Sequence, residues 1–197
     1  MEAMLKKYQQ KFIKAKDEMS KWDELQYRLI SQFRNASSII CRLQVIQNSR
    51  NYARLNSVQG IEVAVFQKQL DSLQTILHSM KNTMEEFHSI VLSLDKLQNE
   101  GKLLEKQQMS RKQLQHKIGV NPSLTNCIDG LVILHEMHLA EYLLKSSLVS
   151  ALSAITLKMK PNPSDVAAIQ QLLVDQPNII SDEVQCIFDI IFAEEIC

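Results

Sequence analysis

The chain has 197 residues, 45% of them hydrophobic, and balances 22 basic against 22 acidic groups. That is the size of one domain, or one domain with a short appendage, with enough apolar content for a core and too much for a disordered chain. Only four Gly and four Pro occur, and no Pro precedes residue 122. Strands need turns, and turns need Gly, Pro and Asn-Gly pairs, so all-β and turn-dense α/β folds are excluded and an all-α fold remains. No Gly-rich phosphate loop of any kind is present.

The neutral total hides an asymmetry. Residues 1–121 carry 19 basic and 12 acidic groups, a balance of +7, whereas residues 122–197 carry 3 and 10, a balance of −7. Beyond Lys160 there are seven acids and no base. Such a dipolar chain docks one end on the other, or offers each end to a different partner. Cys41, Cys127, Cys186 and Cys197 show no CxxC spacing, and the polar start MEAMLKKYQQKF has no apolar signal region, so a reduced intracellular compartment is expected. Cys197, the last residue, cannot be a prenylated CaaX cysteine. Asn35-Ala36-Ser37 reads as an accidental sequon inside a helix, and no apolar run reaches the length of a membrane span.

The spacing predicts a long first helix over about 3–50. Alternating steps of three and four from Leu5 reach Tyr8, Phe12, Ala15, Met19, Trp22, Gln26, Leu29, Phe33, Ala36, Ile40, Leu43 and Gln47, and eleven of these thirteen positions are apolar. The aromatics among them are too bulky for a thin two-stranded seam and suit a bundle of three or four helices. After a turn at 51–60, a second helix over about 61–98 carries the seam Val63, Phe66, Leu70, Leu73, Leu77, Met80, Met84, Phe87, Val91 and Leu94. Two such helices, each roughly 60 Å long at 1.5 Å rise per residue, should pair as an antiparallel hairpin. Around Gly101 the register is lost, and the Gln-rich, basic stretch 98–121 reads either as a solvated extension of the helix or as a mobile linker.

Asn121-Pro122-Ser123 reads as a helix start with Pro in the first turn. The third helix, about 123–158, is apolar over a wide arc and should be the most buried. The break Lys160-Pro161-Asn162-Pro163 ends it. Ser164 is expected to cap a short helix carrying Val166, Ile169, Leu172 and Leu173, and Ser181 a last one carrying Val184, Ile187, Phe188, Ile191 and Phe192. The expected organisation is therefore a long-helix bundle over 1–160 and a short acidic module over 161–197, too small to stand alone. Apolar contact should hold that module, with Phe188→Ala costing about 3–5 kcal/mol if the residue is core, while Asp182 and Glu183 set its orientation.

No motif carries catalysis. His135-Glu136-Met137-His138 lacks the HExxH spacing of a zincin, and reads as two partly exposed helix histidines. Glu85-Glu86-Phe87-His88 holds one ExxH where a di-iron bundle needs two, and reads as surface. GxSxG and Walker patterns are absent. Lys7, Lys14, Lys21, Arg28 and Arg42 form a stripe beside the first seam. It reads first as a solvated face, next as a contact for an acidic protein surface, and last as a nucleic-acid contact. Met80 and Met84 read as core filler.

Several segments carry a resemblance: Trp22 leading a long heptad helix, Gln47-Asn48-Ser49-Arg50 closing it, Lys68-Gln69-Leu70 opening the next seam, Asn121-Pro122-Ser123, Tyr142-Leu143-Leu144-Lys145, and ISDEVQCIFDII at 180–191. By their order and spacing the chain resembles the AIRIM-like family of small helical ribosome-maturation factors, departing from its pattern in the Gln-rich stretch 98–118. The resemblance implies a non-enzymatic coiled-coil subunit without cofactor, partnered by an AAA+ ATPase and by a second small coiled-coil subunit similar to the cyclin-dependent-kinase-interacting protein. It implies late maturation of the large ribosomal subunit, with a pre-ribosomal particle as a further partner, and chromatin-linked protein turnover, in nucleus and cytoplasm. The candidate partner-interface residues are Trp22, Gln47, Asn48, Arg50, Tyr142, Lys145, Asp182, Glu183 and Phe188. Three alternatives stand beside this reading: the second coiled-coil subunit itself, a helical membrane-trafficking tether or SNARE regulator, and a helical metalloenzyme.

Overall fold

A computed structural model describes residues 2–47, 52, 58–108, 122–156 and 162–193. Among these residues the fold is all-α, with five helices and no strand: α1 (Glu2–Ile46), α2 (Ile61–Gln108), α3 (Leu124–Thr156), α4 (Pro163–Asp175) and α5 (Ser181–Ile191). The three-four spacing of α1 places its seam in the interior. Leu5, Tyr8, Phe12, Ala15, Trp22, Leu29, Phe33, Ala36, Ile40 and Leu43 are all buried. In the seam of α2, Leu73, Met80, Met84, Phe87, Val91 and Leu94 are buried, whereas Phe66, Leu70 and Leu77 are half-buried and Val63 is 73% exposed.

α1 and α2 pack against each other. Their pairings run in opposite directions along the two helices: Tyr8 with Gly101, Glu18 with Ser93, Trp22 with Phe87, Gln32 with Ser79. The antiparallel hairpin expected from the two seams is therefore present. α2 runs past residue 98 to Gln108, so the helical alternative holds over that stretch, and residues 109–121 lie outside the described residues. The register breaks at Gly101 for a packing reason. The Tyr8 hydroxyl donates to the Gly101 carbonyl at 2.8 Å, and a Cβ on Gly101 would stand 3.2 Å from Leu131 Cδ1 and 3.4 Å from the Tyr8 ring. Neighbouring side chains fill the position that a seam residue would otherwise occupy.

The second helix starts at Ile61, as expected, but the caps of the three later helices differ from the sequence expectation. Pro122 precedes the cap of α3 rather than entering its first turn. Ser123 is the cap: its hydroxyl accepts the Asn126 N–H at 3.2 Å and donates to the Asn126 side-chain oxygen, satisfying one orphan donor of the first turn. At α4 the cap is Asn162, not Ser164. The Asn162 side-chain oxygen accepts the Ser164 N–H at 3.2 Å, and Pro163 takes the first helical position, where its missing N–H has no cost. At α5 the cap position is Ile180 rather than Ser181 and carries no side-chain cap; Asp182 and Glu183 in the first turn supply the negative charge that favours a helix N-terminus instead.

The chain divides into two compact units. The first is formed by 1–24, 87–143 and 176–197, the second by 25–86 and 144–175. α4 falls in the second unit and α5 in the first. In the first unit Tyr8, Phe12, Trp22, Phe87, Val91, Leu94, Leu131, Leu134, Ile187 and Ile191 make the core; in the second Leu29, Phe33, Leu73, Met80, Leu148, Leu152, Val166, Ile169 and Leu173 do so. Met80 and Met84 are buried, as expected of filler.

Gly130 sits where α3 meets α1 and α5 within the first unit. A Cβ there would come within 3.0 Å of Ile187 Cγ2 and 3.1 Å of Phe12 Cζ. Gly130→Val is therefore expected to lower unfolding free energy by about 1–3 kcal/mol, the usual cost of overpacking, despite removing a helix-weakening glycine. Denaturant unfolding checks this, and a variant as stable as the parent would show that α3 does not approach so closely.

Candidate functional site

Continuing a three-four alternation along α3 gives Leu124, Cys127, Leu131, Leu134, His138, Glu141, Lys145, Leu148, Leu152 and Ile155, and all ten are buried. Three successive positions in the middle of this seam are polar or charged. His138 is 2% exposed, and Glu141 and Lys145 are fully buried. Burying such groups is costly unless they are hydrogen-bonded, and the fold provides the bonds. Lys145 Nζ donates to Gln26 Oε1 at 2.8 Å, and Gln26 Nε2 donates in turn to the Leu173 carbonyl. Glu141 Oε2 accepts the backbone N–H and the side-chain amide of Asn178, both at 3.1 Å. Gln26, the polar exception in the α1 seam, is thus the residue that answers Lys145.

Around His138 lies an aromatic cluster of the first unit. Trp22 packs edge-on to Phe87 at 4.5 Å and to the His138 ring at 4.8 Å between centroids. The Trp22 indole N–H donates to Gln176 Oε1 at 2.9 Å. Gln176 holds a left-handed backbone (φ 46°), and the Ile179 N–H returns to its carbonyl at 2.9 Å, closing a turn with Pro177 at its second position. Beside this turn is a cavity of about 170 Å³, lined by Met19, Trp22 and Asp23 of α1, His138 of α3, Gln176 and Ile179 of the turn, and Ser181 and Val184 of α5. Burial raises the Asp23 carboxyl above its usual range. Burial also holds the His138 imidazole below the usual histidine range, against the opposing pull of its bond to the Leu134 carbonyl and of the Glu141 carboxylate.

In the second unit a groove of about 330 Å³ runs along one face of α2, from Leu70, Leu73, Gln74 and Leu77 to His78 and Lys81, and is closed by Ser153 and Thr156 of α3.

The residues singled out by sequence fall in different places. Trp22 and Lys145 are interior; Tyr142, Glu183 and Phe188 are half-buried; Gln47 and Asp182 are exposed; Asn48 and Arg50 lie outside the described residues. Tyr142 stacks on His88 at 5.2 Å. Phe188 meets Phe12 edge-on at 6.0 Å and stacks on Phe192 at 6.2 Å, while Ile187 and Ile191 form the buried face of α5. Phe188 is therefore an edge residue, not core. Of the two histidines expected to be partly exposed, His135 is half-buried and bonds to Gln98, whereas His138 is interior. Among the described residues, no group of three or more His, Cys, Asp or Glu is placed to hold a metal ion. Burial pushes the Cys127 thiol up to about 12, so it is a small core residue and not a nucleophile.

Two outcomes follow from this geometry. Because the folded His138 binds its proton at lower pH than the unfolded chain, near 6.5, its contribution to stability is present above about pH 6.5 and is lost as pH falls through the folded value. The loss reaches at most about 1.4 kcal/mol per pH unit. Urea unfolding between pH 7.5 and 5.5 should show this decline, and His138→Gln should flatten it; equal slopes would remove His138 from the account. On α5, Ile187→Ala should cost about 2–5 kcal/mol and Phe188→Ala about 1–3, whereas Asp182→Asn with Glu183→Gln should cost about 0.3–1 kcal/mol each. Thermal melts of the three variants give the ordering.

Comparison with known proteins bears on the whole chain. Among characterised proteins no significant match was found. A family described as CA109-like, ribosome biogenesis protein C1orf109-like, matches residues 2–196, consistent with the resemblance to AIRIM-like ribosome-maturation factors. Almost every residue is covered, both units included, and the chain belongs to the CA109-like family of ribosome biogenesis proteins.

Proposed function

We propose that the protein is a non-enzymatic adaptor subunit in maturation of the large ribosomal subunit. In this role it joins an AAA+ ATPase to a second small coiled-coil subunit and to the pre-ribosomal particle. The observation that carries the reading is the family match over 2–196, whose description places the family in ribosome biogenesis. The interior supports it. Lys145 and Glu141 of α3 are engaged within the fold by Gln26 and Asn178. Residues that remain for interaction are exposed apolar ones, including Val63 on α2, Leu92 farther along it and Leu143 on α3, together with the groove at Leu70–Lys81. These are the features by which one helix accepts another.

The family assignment favours this subunit type over the second coiled-coil subunit, and nothing in the described helices is long and apolar enough to cross a membrane. A role in chromatin-linked turnover, and action in nucleus and cytoplasm, belong to the same proposal. Affinity purification of the full chain from its own cells should recover an AAA+ ATPase together with large-subunit assembly factors. Recovery of vesicle-tethering proteins without an ATPase would favour the trafficking reading instead.

A further inference from the structure

Three of the polar side chains lining the cavity beside the 176–179 turn, His138, Asp23 and Ser181, can accept a hydrogen bond. His138 Nδ1 lies 2.7 Å from the Leu134 carbonyl. A carbonyl cannot donate, so Nδ1 carries the proton and Nε2 is left as a lone pair. The side chain is almost wholly buried and lines the cavity, and among the described residues no hydrogen bond to Nε2 is seen. Asp23 adds a carboxylate at the exposed side, and Ser181 a hydroxyl. Gln176 has already committed its oxygen to the Trp22 indole. Met19, Ile179 and Val184 supply apolar wall, and no Lys or Arg lines the space.

The surroundings carry the same sign. Asp182 and Glu183 follow Ser181 in the first turn of α5. They outweigh the roughly half positive charge that a helix N-terminus presents. The volume, about 170 Å³, is comparable with cavities that take one aromatic ring, and so admits one side chain rather than a cofactor.

We propose that this cavity receives a single basic side chain, an arginine or lysine of a partner protein, with its charged head against Asp23, His138 Nε2 and Ser181 Oγ and its stem against Met19 and Val184. The proposal rests on the reading of the chain as a protein-binding subunit, and adds where one partner anchors and by what chemistry. A long side chain of this kind buries its methylenes while its head keeps polar partners, and a charge-assisted bond to Asp23 is the stronger sort.

The chain has one tryptophan, Trp22, and it lines the cavity, so its fluorescence reports occupancy directly. The full-length protein is titrated with blocked tripeptides Gly-Arg-Gly and Gly-Lys-Gly, with the neutral citrulline counterpart, and with spermidine. The expected result is a saturable change with arginine or lysine in the millimolar range, and at least about tenfold weaker binding of citrulline. Asp23→Asn, on an exposed position of α1, should weaken the basic peptides by about fivefold or more while leaving the circular dichroism unchanged. Citrulline binding as well as arginine, no saturable change with either basic peptide, an unchanged affinity in Asp23→Asn, or a response to spermidine alone would each overturn the proposal. None of these depends on recovering an ATPase from cells, so failure here and failure of the adaptor reading are separable.

Discussion

Three successive seam positions of α3 are polar, and the rest of the architecture has to satisfy them. A seam made only of leucines tolerates sliding by a heptad with little loss. A seam holding His138, Glu141 and Lys145 does not, because any other register leaves a buried charge without its bond, at a cost of several kcal/mol. In the observed alignment Lys145 donates to Gln26 and Glu141 accepts from Asn178. Replacing such residues by hydrophobic ones of equal volume often raises stability, so their presence is better explained by specification of register than by strength.

The same residues connect the long helices to the end of the chain. Glu141 holds Asn178 and Trp22 holds Gln176, so both sides of the Pro177 turn are fastened to the interior of the first unit. The left-handed backbone of Gln176 is a strained conformation for a residue with a side chain. It persists because the turn bond from Ile179 and the indole bond act together on one residue. α5 then docks through Ile187 and Ile191, with Gln9 donating to the Ile191 carbonyl. The cavity is a consequence of this arrangement: a turn fixed by polar bonds spans α1 and α3 without filling the space beneath it.

The fold class, the antiparallel pairing of α1 with α2 and most of both seams were legible because period and burial coincide there, residue after residue from Tyr8 to Leu43. Helix starts were less so. Two Asn-Pro-Ser sequences were read in opposite ways, Pro122 inside a first turn and Ser164 as a cap, yet Ser123 caps α3 and Asn162 caps α4, since the first proline precedes its helix and the second enters it. The polar core was missed for a different reason. Apolar content over a wide arc drew attention to how much of α3 is hydrophobic, and away from which of its positions share the seam. Stepping by three and four from Leu131 lands on His138, Glu141 and Lys145, and Gln26 already marked the matching place on α1. The cavity had no sequence signal, because its walls come from residues 19 to 184 and depend on a turn whose shape no local pattern specifies.

Charge completes the picture. Ion pairs among the described residues include Lys11 with Glu100, Lys21 with Glu18, Arg28 with Glu86 and His135 with Asp95. None draws on the acids beyond Lys160. Asp165, Asp175 and Asp189 instead accept from Asn162, Gln171 and Gln185 beside them. Exposed ion pairs contribute about 0–1 kcal/mol each, so pairs of this kind add little to the fold, and charge at a surface steers and discriminates partners more than it binds them. In the adaptor role proposed for the chain, apolar contact at exposed residues such as Val63 and Leu92 then has to supply the affinity.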